Sequence, residues 1–262
     1  MSTLDTRTDE YEAFCSGVQR LTGVDLLQYK RGQMERRIAT FAQRRGAHGL
    51  LDYLRRLDAS REELGEFLDR VTINVSQLWR NPEQWERLEG IVRELAQRGW
   101  IRAWSAGCSY GAEAYTLAAI CRDAVPTCRL EILGTDIDAR MIERARAGGF
   151  SEADARTAPP AALRRWFEPD GGGWRAGPAL RTVVRFQAGD LLRDRVPSGA
   201  YDLVLCRNVV IYFTDPVRED LHKRLAESLR PGGYLVIGST ERVTSPAGFG
   251  LSPIHPFIYR KG

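Results

Sequence analysis

The sequence predicts an α/β protein, a parallel doubly wound sheet preceded by an all-helical segment. Three observations carry that reading. Residues 10 to about 98 space their apolar side chains at helical intervals and contain no convincing strand. From Ile101 onward, short β-rich runs alternate with helical patterns, as strand–helix–strand crossovers do. The first of those runs, "IRAWSAG", ends in a glycine turn that opens a helix, and such sheets hold small ligands at that kind of turn.

The helical part shows three amphipathic groups. They are Met34, Ile38 and Phe41, then Leu50, Leu51, Leu54 and Leu57, then Leu64, Phe67, Leu68 and Val71. We place a helical domain at 10–78, a linker helix at 79–98 and the α/β domain at 99–262. Strands are expected at "IRAWSAG", "EILGTDID", "TVVRFQAGD", "YDLVLCRN" and "GYLVIGST", with helices at "ARMIERARAG" and "PVREDLHKRLAESLR". The last apolar run, "PFIYRKG", is expected as a closing strand at the sheet edge. Between the second and third strands lies a long insert, residues 149–182, whose "PP" and "DGGGW" are turn chemistry. It reads as a helix followed by a small β excursion, together occupying about 149–185.

Composition excludes several classes. The net charge of +4 is too modest to argue for nucleic acid. No apolar run reaches the length of a membrane span, and the polar, acidic opening "MSTLDTRTDEYEAF" is no signal peptide. Cys15, Cys108, Cys121, Cys128 and Cys206 form no CxxC pair, and His48, His222 and His255 are far apart, so no metal site is expected. The cysteines read as small buried hydrophobes in a reducing cytoplasm. A cytoplasmic monomer is the expectation.

The turn "GCSYGAE" is neither G-x-G-x-x-G nor a P-loop. A helix N-terminus favours anions, but Glu113 already occupies this first turn and no Lys or Arg follows nearby. A polyphosphate would meet repulsion there. A ligand with a ribose, an amino acid head and a positive centre suits the turn better. Asp136 lies 25 residues after Gly111, where an acid typically accepts hydrogen bonds from ribose hydroxyls. These features point to S-adenosylmethionine. The same residues also admit a glycine turn kept for close packing, beside a solvated Asp136.

"AGCSYGAEAYTLA", "LGTDID", "DLL" at 190–192, "CRNVVIYF" and "LRPGGYLVIGSTE" occur in one order. Together they resemble the chemotaxis-receptor glutamate methyltransferase (CheR-type) family. Upstream, "TINVSQLWR" and "GVDLLQYKRGQMERRI" are similar to that family's N-terminal motifs, so the resemblance runs from about Tyr11 to Arg260. It implies a class I, Rossmann-like methyltransferase sheet, an N-terminal helical domain that docks substrate, and an inserted β-subdomain. It also implies S-adenosylmethionine as cofactor, S-adenosylhomocysteine as product, and esterification of glutamate side chains on a chemoreceptor cytoplasmic region. Carried over, the cofactor contacts are Asn74, Ser76, Arg80 and Gly107, then Glu113, Asp136, Asp190 with Leu191, and Asn208. Arg80 and Tyr212 fall at the transferred methyl.

The chemistry matches these residue types. A glutamate carboxylate is ionised at neutral pH, so methyl transfer needs no general base, and no His or Cys/His constellation is present. Arg80 can orient a carboxylate through two parallel hydrogen bonds, or serve only a surface ion pair. Tyr212 offers a hydroxyl and a ring wall, or simply packs with Phe213. Residues 29–45 carry six positive charges and one negative. Arg37 and Arg44 flank the Met34–Ile38–Phe41 stripe, and in the family this region docks an acidic methylation helix. A solvated helix face is the plainer reading of the same charges. RNA is disfavoured, because exposed aromatics are not interleaved with the arginines.

Several positions depart from the family pattern. Ala112 and Ala114 replace an acid and a proline, Ser76 replaces a threonine, and Leu78–Trp79 replaces two phenylalanines. Asp190 replaces an asparagine and, when ionised, only accepts hydrogen bonds. The second half of the insert looks shorter than in members that grip a receptor-tail peptide, so tight tail recognition is not expected. The alternatives are a same-fold methyltransferase acting on another protein or small molecule, and a non-catalytic S-adenosylmethionine- or partner-binding module. A base N-methyltransferase is disfavoured because "RNVVIYF" lacks the [DN]-P-P-[YF] clamp.

Overall fold

The computed structural model describes residues 3–71 and 74–262, with side chains from residue 10 onward. Thr72 and Ile73, the opening of "TINVSQLWR", lie outside the described residues. The chain divides into two compact units, one of residues 1–74 with 212–217, the other of residues 75–211 with 218–262.

The first unit contains helices α1 (Thr3–Thr22), α2 (Arg31–Arg44), α3 (Leu50–Ala59) and α4 (Arg61–Val71). Its core forms where the apolar stripes meet. Phe14, Tyr53 and Phe67 are fully buried, with ring centroids 5.8 Å apart for Phe14–Phe67 and 5.9 Å for Tyr53–Phe67. Gly17 lets α1 approach α3, since a Cβ there would overlap the Leu54 side chain. Gly49 supplies no cap to α3; Glu10 does so instead, accepting the Leu50 N–H at 2.8 Å. The segment 212–217 is strapped to the turn before α2. Lys30 N–H donates to the Tyr212 carbonyl at 2.9 Å, Thr214 N–H donates to the Gln28 carbonyl at 3.0 Å, and the Tyr29 and Phe213 rings pack 4.9 Å apart.

The second unit opens with α5 (Pro82–Ala96), β1 (Trp100–Ala106), α6 (Ala112–Ala124), β2 (Arg129–Asp136) and α7 (Ala139–Ala147). The insert follows as β3 (Gly149–Ser151), α8 (Glu152–Ala155), α9 (Pro160–Trp166), β4 (Phe167–Asp170), β5 (Gly173–Ala176) and α10 (Pro178–Arg181). The sheet resumes with β6 (Val184–Ala188) and β7 (Tyr201–Cys206), then α11 (Asp215–Ser228), β8 (Leu229–Ile237), β9 (Leu251–His255) and β10 (Ile258–Lys261). Seven strands run in the order β6-β2-β1-β7-β8-β10-β9, and the insert forms a separate antiparallel sheet, β3-β5-β4. The first five strands of the large sheet are parallel, and β10 is antiparallel to both its neighbours. Every residue of β7 is buried, as expected of a central strand covered on both faces.

One expectation needs correction. "PFIYRKG" is a strand, but it lies inside the sheet; the edge belongs to β9, which the sequence conceals behind Pro253. Proline gives no ladder N–H and argues against a strand, yet an edge tolerates it. The crossover from β6 to β7 contains no helix among residues 189–200, although parallel strands are usually joined through one.

Candidate functional site

Four adjacent parallel strands end on one rim of the sheet. Gly107 directly follows β1, Asp136 closes β2, Asp190 stands two residues past β6, and Asn208 two past β7. The chain leaves β1 toward β2 on one side, while β7 flanks β1 on the other. Ligands of open α/β sheets bind outside the carboxyl ends at such a switch point. Leu191, half-buried, shares the rim with Asp190.

The turn after β1 is drawn tightly against β2. The N–H groups of Gly107 and Cys108 donate to the Thr135 carbonyl at 2.8 and 2.9 Å. Gly107 has φ +76°, and a Cβ there would come within 2.5 Å of the Val209 side chain. Ser109, at φ +49°, donates its N–H to Asp136 Oδ2 at 2.8 Å, and Asp138 N–H donates to Oδ1 at 3.0 Å. Asp136 is only 8% exposed, so the solvated reading of this acid is wrong. Burial pushes its carboxyl above the usual carboxylate range, and the backbone donors oppose that shift. Gly111, at φ +88°, is a packing glycine, since a Cβ there would meet Phe186 and Ala145 at about 3 Å. The packing reading of the turn therefore holds at Gly111.

Glu113 is buried at the start of α6. Ser105 Oγ donates to its Oε1 at 2.7 Å, and Arg207 Nη1 lies 3.3 Å from Oε2. The sequence shows no counter-charge near this acid, but the fold brings one from 94 residues away. Burial raises the Glu113 carboxyl, and Arg207 is the main influence lowering it again. Asp190 is half-buried; its Oδ1 accepts Leu192 N–H at 2.8 Å and its Oδ2 lies 3.7 Å from Arg193 Nε.

Comparison with known proteins bears on both halves of the chain. A family model described as CheR methyltransferase, SAM binding domain, matches residues 74–256. A second, CheR methyltransferase, all-alpha domain, matches residues 9–72. The chain belongs to the CheR methyltransferase family. Among its relatives, the chemotaxis protein methyltransferase of Listeria innocua serovar 6a is 36% identical over 255 residues, covering 96% of this chain and 97% of its own. Chemotaxis protein methyltransferase 1 of Pseudomonas aeruginosa is 30% identical over 266 residues, covering 96% and 97%. An uncharacterized 104.1 kDa protein of Rhodobacter capsulatus is 36% identical over 229 residues, covering 83% of this chain but 24% of its own. The large sheet is thus the SAM-binding methyltransferase domain of a CheR family member, preceded by the family's all-α domain.

Two side chains that organise this CheR rim stood inside quoted motifs but drew no role from the sequence. Arg207, 7% exposed, donates through Nε to Gln84 Oε1 at 2.9 Å and through Nη2 to the Arg80 carbonyl at 2.7 Å, besides its pair with Glu113. Glu241, 5% exposed, accepts the N–H groups of Asn208 at 3.0 Å, Val210 at 3.1 Å and Gly238 at 2.6 Å. Buried charges need partners, so the signal available in the sequence was an Arg and a Glu within otherwise apolar strand ends.

The remaining candidates divide between the units. Ser76 and Arg80 lie in the second. Tyr110 Oη donates to the Ser76 carbonyl, and Arg80 Nη1 donates to the Val75 carbonyl at 2.8 Å. Leu78 and Trp79 are buried anchors; Trp79 N–H donates to Thr116 Oγ1 at 3.1 Å. Trp79 and Asn81 both have positive φ, 52° and 59°, a conformation bulky residues hold only when their surroundings impose it. Asn74, Tyr212, Arg37 and Arg44 belong to the first unit. Arg37 is half-buried with Arg70 and Tyr212 as electrostatic neighbours, whereas Arg44 is exposed at the end of α2.

These residues fit S-adenosylmethionine. Each Asp136 oxygen takes one backbone N–H and retains acceptor capacity for ribose hydroxyls. The Asp190 carboxylate suits an amino donor such as adenine's. Arg207, the guanidinium buried at this rim, is spent on Glu113. Among the described residues, no group of three or more His, Cys, Asp or Glu is placed to hold a metal ion. No described helix is long and apolar enough to cross a membrane.

Proposed function

We propose that this chain transfers the S-adenosylmethionine methyl group to glutamate carboxylates of a chemoreceptor cytoplasmic region, forming glutamyl methyl esters. The supporting observation is full-length similarity, through both units, to proteins called chemotaxis protein methyltransferases. When bound, the cofactor supplies an electrophilic methyl group; the substrate carboxylate is already an anion and needs no base. Catalysis then rests on positioning, which can contribute roughly 7–11 kcal/mol.

In this reading Asp136 holds the ribose, Asp190 with Leu191 holds the adenine, and Gly107 gives the backbone room to approach. Asn208, Asn74 and Ser76 complete the cofactor contacts. Glu113 serves the amino acid head through its Arg207 pair. Arg80 orients a carboxylate and Tyr212 walls the methyl. The helical domain, residues 10–78, docks an acidic receptor helix through Arg37 and Arg44. Residues 79–98 link it to the methyltransferase domain, residues 99–262. The enzyme acts in the cytoplasm as a monomer.

Incubation with methyl-labelled cofactor and receptor cytoplasmic fragments tests the reaction. Base-labile label on the fragments is expected, as methyl esters hydrolyse; base-stable label or none defeats the proposal. Calorimetry with S-adenosylhomocysteine tests the site, and Asp136→Ala is expected to weaken binding at least tenfold.

A further inference from the structure

The strand β6 ends the large sheet. The Ile132 N–H bond to the Val183 carbonyl and the Gly189 N–H bond to the Asp136 carbonyl fix its phase against β2. Alternation then turns the N–H and C=O groups of Val184, Phe186 and Ala188 to the free edge. Arg146 confirms that phase, donating from Nη2 to the Phe186 carbonyl at 3.0 Å, and a guest strand displaces this side chain from the edge.

Grooves flank this edge on both faces of the sheet. The one beside α6 has a volume of about 600 Å³ and contains Arg181 and the Phe186 ring. The other has about 420 Å³ and contains Arg185 together with the Arg102–Glu131 pair. A strand added to a sheet edge sends alternate side chains to opposite faces, so both grooves would be filled by one guest.

Charge selects that guest. Arg181 and Arg185 are exposed and have no carboxylate partner among the described residues, whereas Arg146 pairs with Glu143 and Arg102 with Glu131. Both of these uncompensated arginines line the groove beside α6, and Arg185 also lines the other. A second copy of β6 would bring the two Arg185 side chains close together, and charged edges discourage such self-pairing.

We propose that the free edge of β6 is a docking site for an extended acidic protein segment. The segment adds as a strand and sends adjacent acidic side chains to opposite faces, one to Arg181 and one to Arg185. The site runs along β6 and uses none of the residues named as cofactor contacts.

The test uses the full chain and a capped, fluorescent hexapeptide, Thr-Val-Glu-Glu-Val-Thr. Submillimolar binding by anisotropy is expected, with slowed amide exchange at Val184 and Ala188. The double variants Arg181→Glu/Arg185→Glu and Arg181→Gln/Arg185→Gln should each weaken it tenfold or more while binding S-adenosylhomocysteine normally. Methylating alternate peptide nitrogens should abolish it. Equal binding of a Lys-Lys peptide or of the N-methylated peptide overturns the proposal. So do exchange protection that grows with protein concentration alone, which would mean self-pairing, and absence of binding at millimolar peptide.

Discussion

Arg207 uses all three guanidinium nitrogens on Gln84, Glu113 and Arg80, and its fork lies 4.9 Å from the Trp85 ring centre. Its removal strands a buried carboxylate, which costs roughly 3–5 kcal/mol. Arg207→Met is therefore expected to lower stability by about that amount in urea unfolding. Adding Glu113→Gln should recover part of the loss, because the orphaned charge is gone. His222 makes a second residue-scale prediction. It is 1% exposed, its Nε2 has no hydrogen-bond partner among the described residues, and burial lowers its pKa from 6.5 to about 4. The unfolded chain takes up this proton first as pH falls, so stability is intact above 6.5 and drains between 6.5 and 4. The total loss is about 3 kcal/mol. His222→Leu should remove that slope from the pH dependence of unfolding.

At the scale of elements, the turn after β1 was legible because Gly107 and Gly111 stand between an apolar run and a helical pattern. The loop after β7 was legible only as a motif. Its conformation, with Asn208 at φ +62°, is held from β8's end by Glu241, which binds three backbone N–H groups. Charge-assisted bonds of this kind contribute more than neutral ones. Glu241→Gln has one acceptor oxygen fewer and is expected to reduce stability by about 2 kcal/mol and S-adenosylhomocysteine affinity several-fold by calorimetry. The edge strand β9 escaped the sequence because Pro253 breaks its pattern.

At the scale of the molecule, the chain does not divide at one point. Residues 212–217, the end of "CRNVVIYF" and the start of α11, belong with the helical unit, held by Gln28, Tyr29 and Lys30. Tyr212 thereby becomes an electrostatic neighbour of Arg37, as Arg70 also is. If α2 docks an acidic helix, Arg37→Glu/Arg44→Glu should reduce transfer to receptor fragments at least tenfold. Cofactor affinity should stay unchanged by calorimetry. The remaining transfer should lose its dependence on salt, since screening weakens exposed charge pairs.

The sequence by itself determined the strand–helix alternation, the glycine turn and the family. Those depend on spacing within one stretch of chain, and spacing survives in a linear string. Only the tertiary structure decided which charges meet. Arg207 reaches Glu113 across 94 residues, Glu241 reaches Asn208 across 33, and β10 is inserted between β8 and β9. Burial makes each of these pairings obligatory, because a charge or backbone donor removed from water must find its partner wherever the fold delivers one.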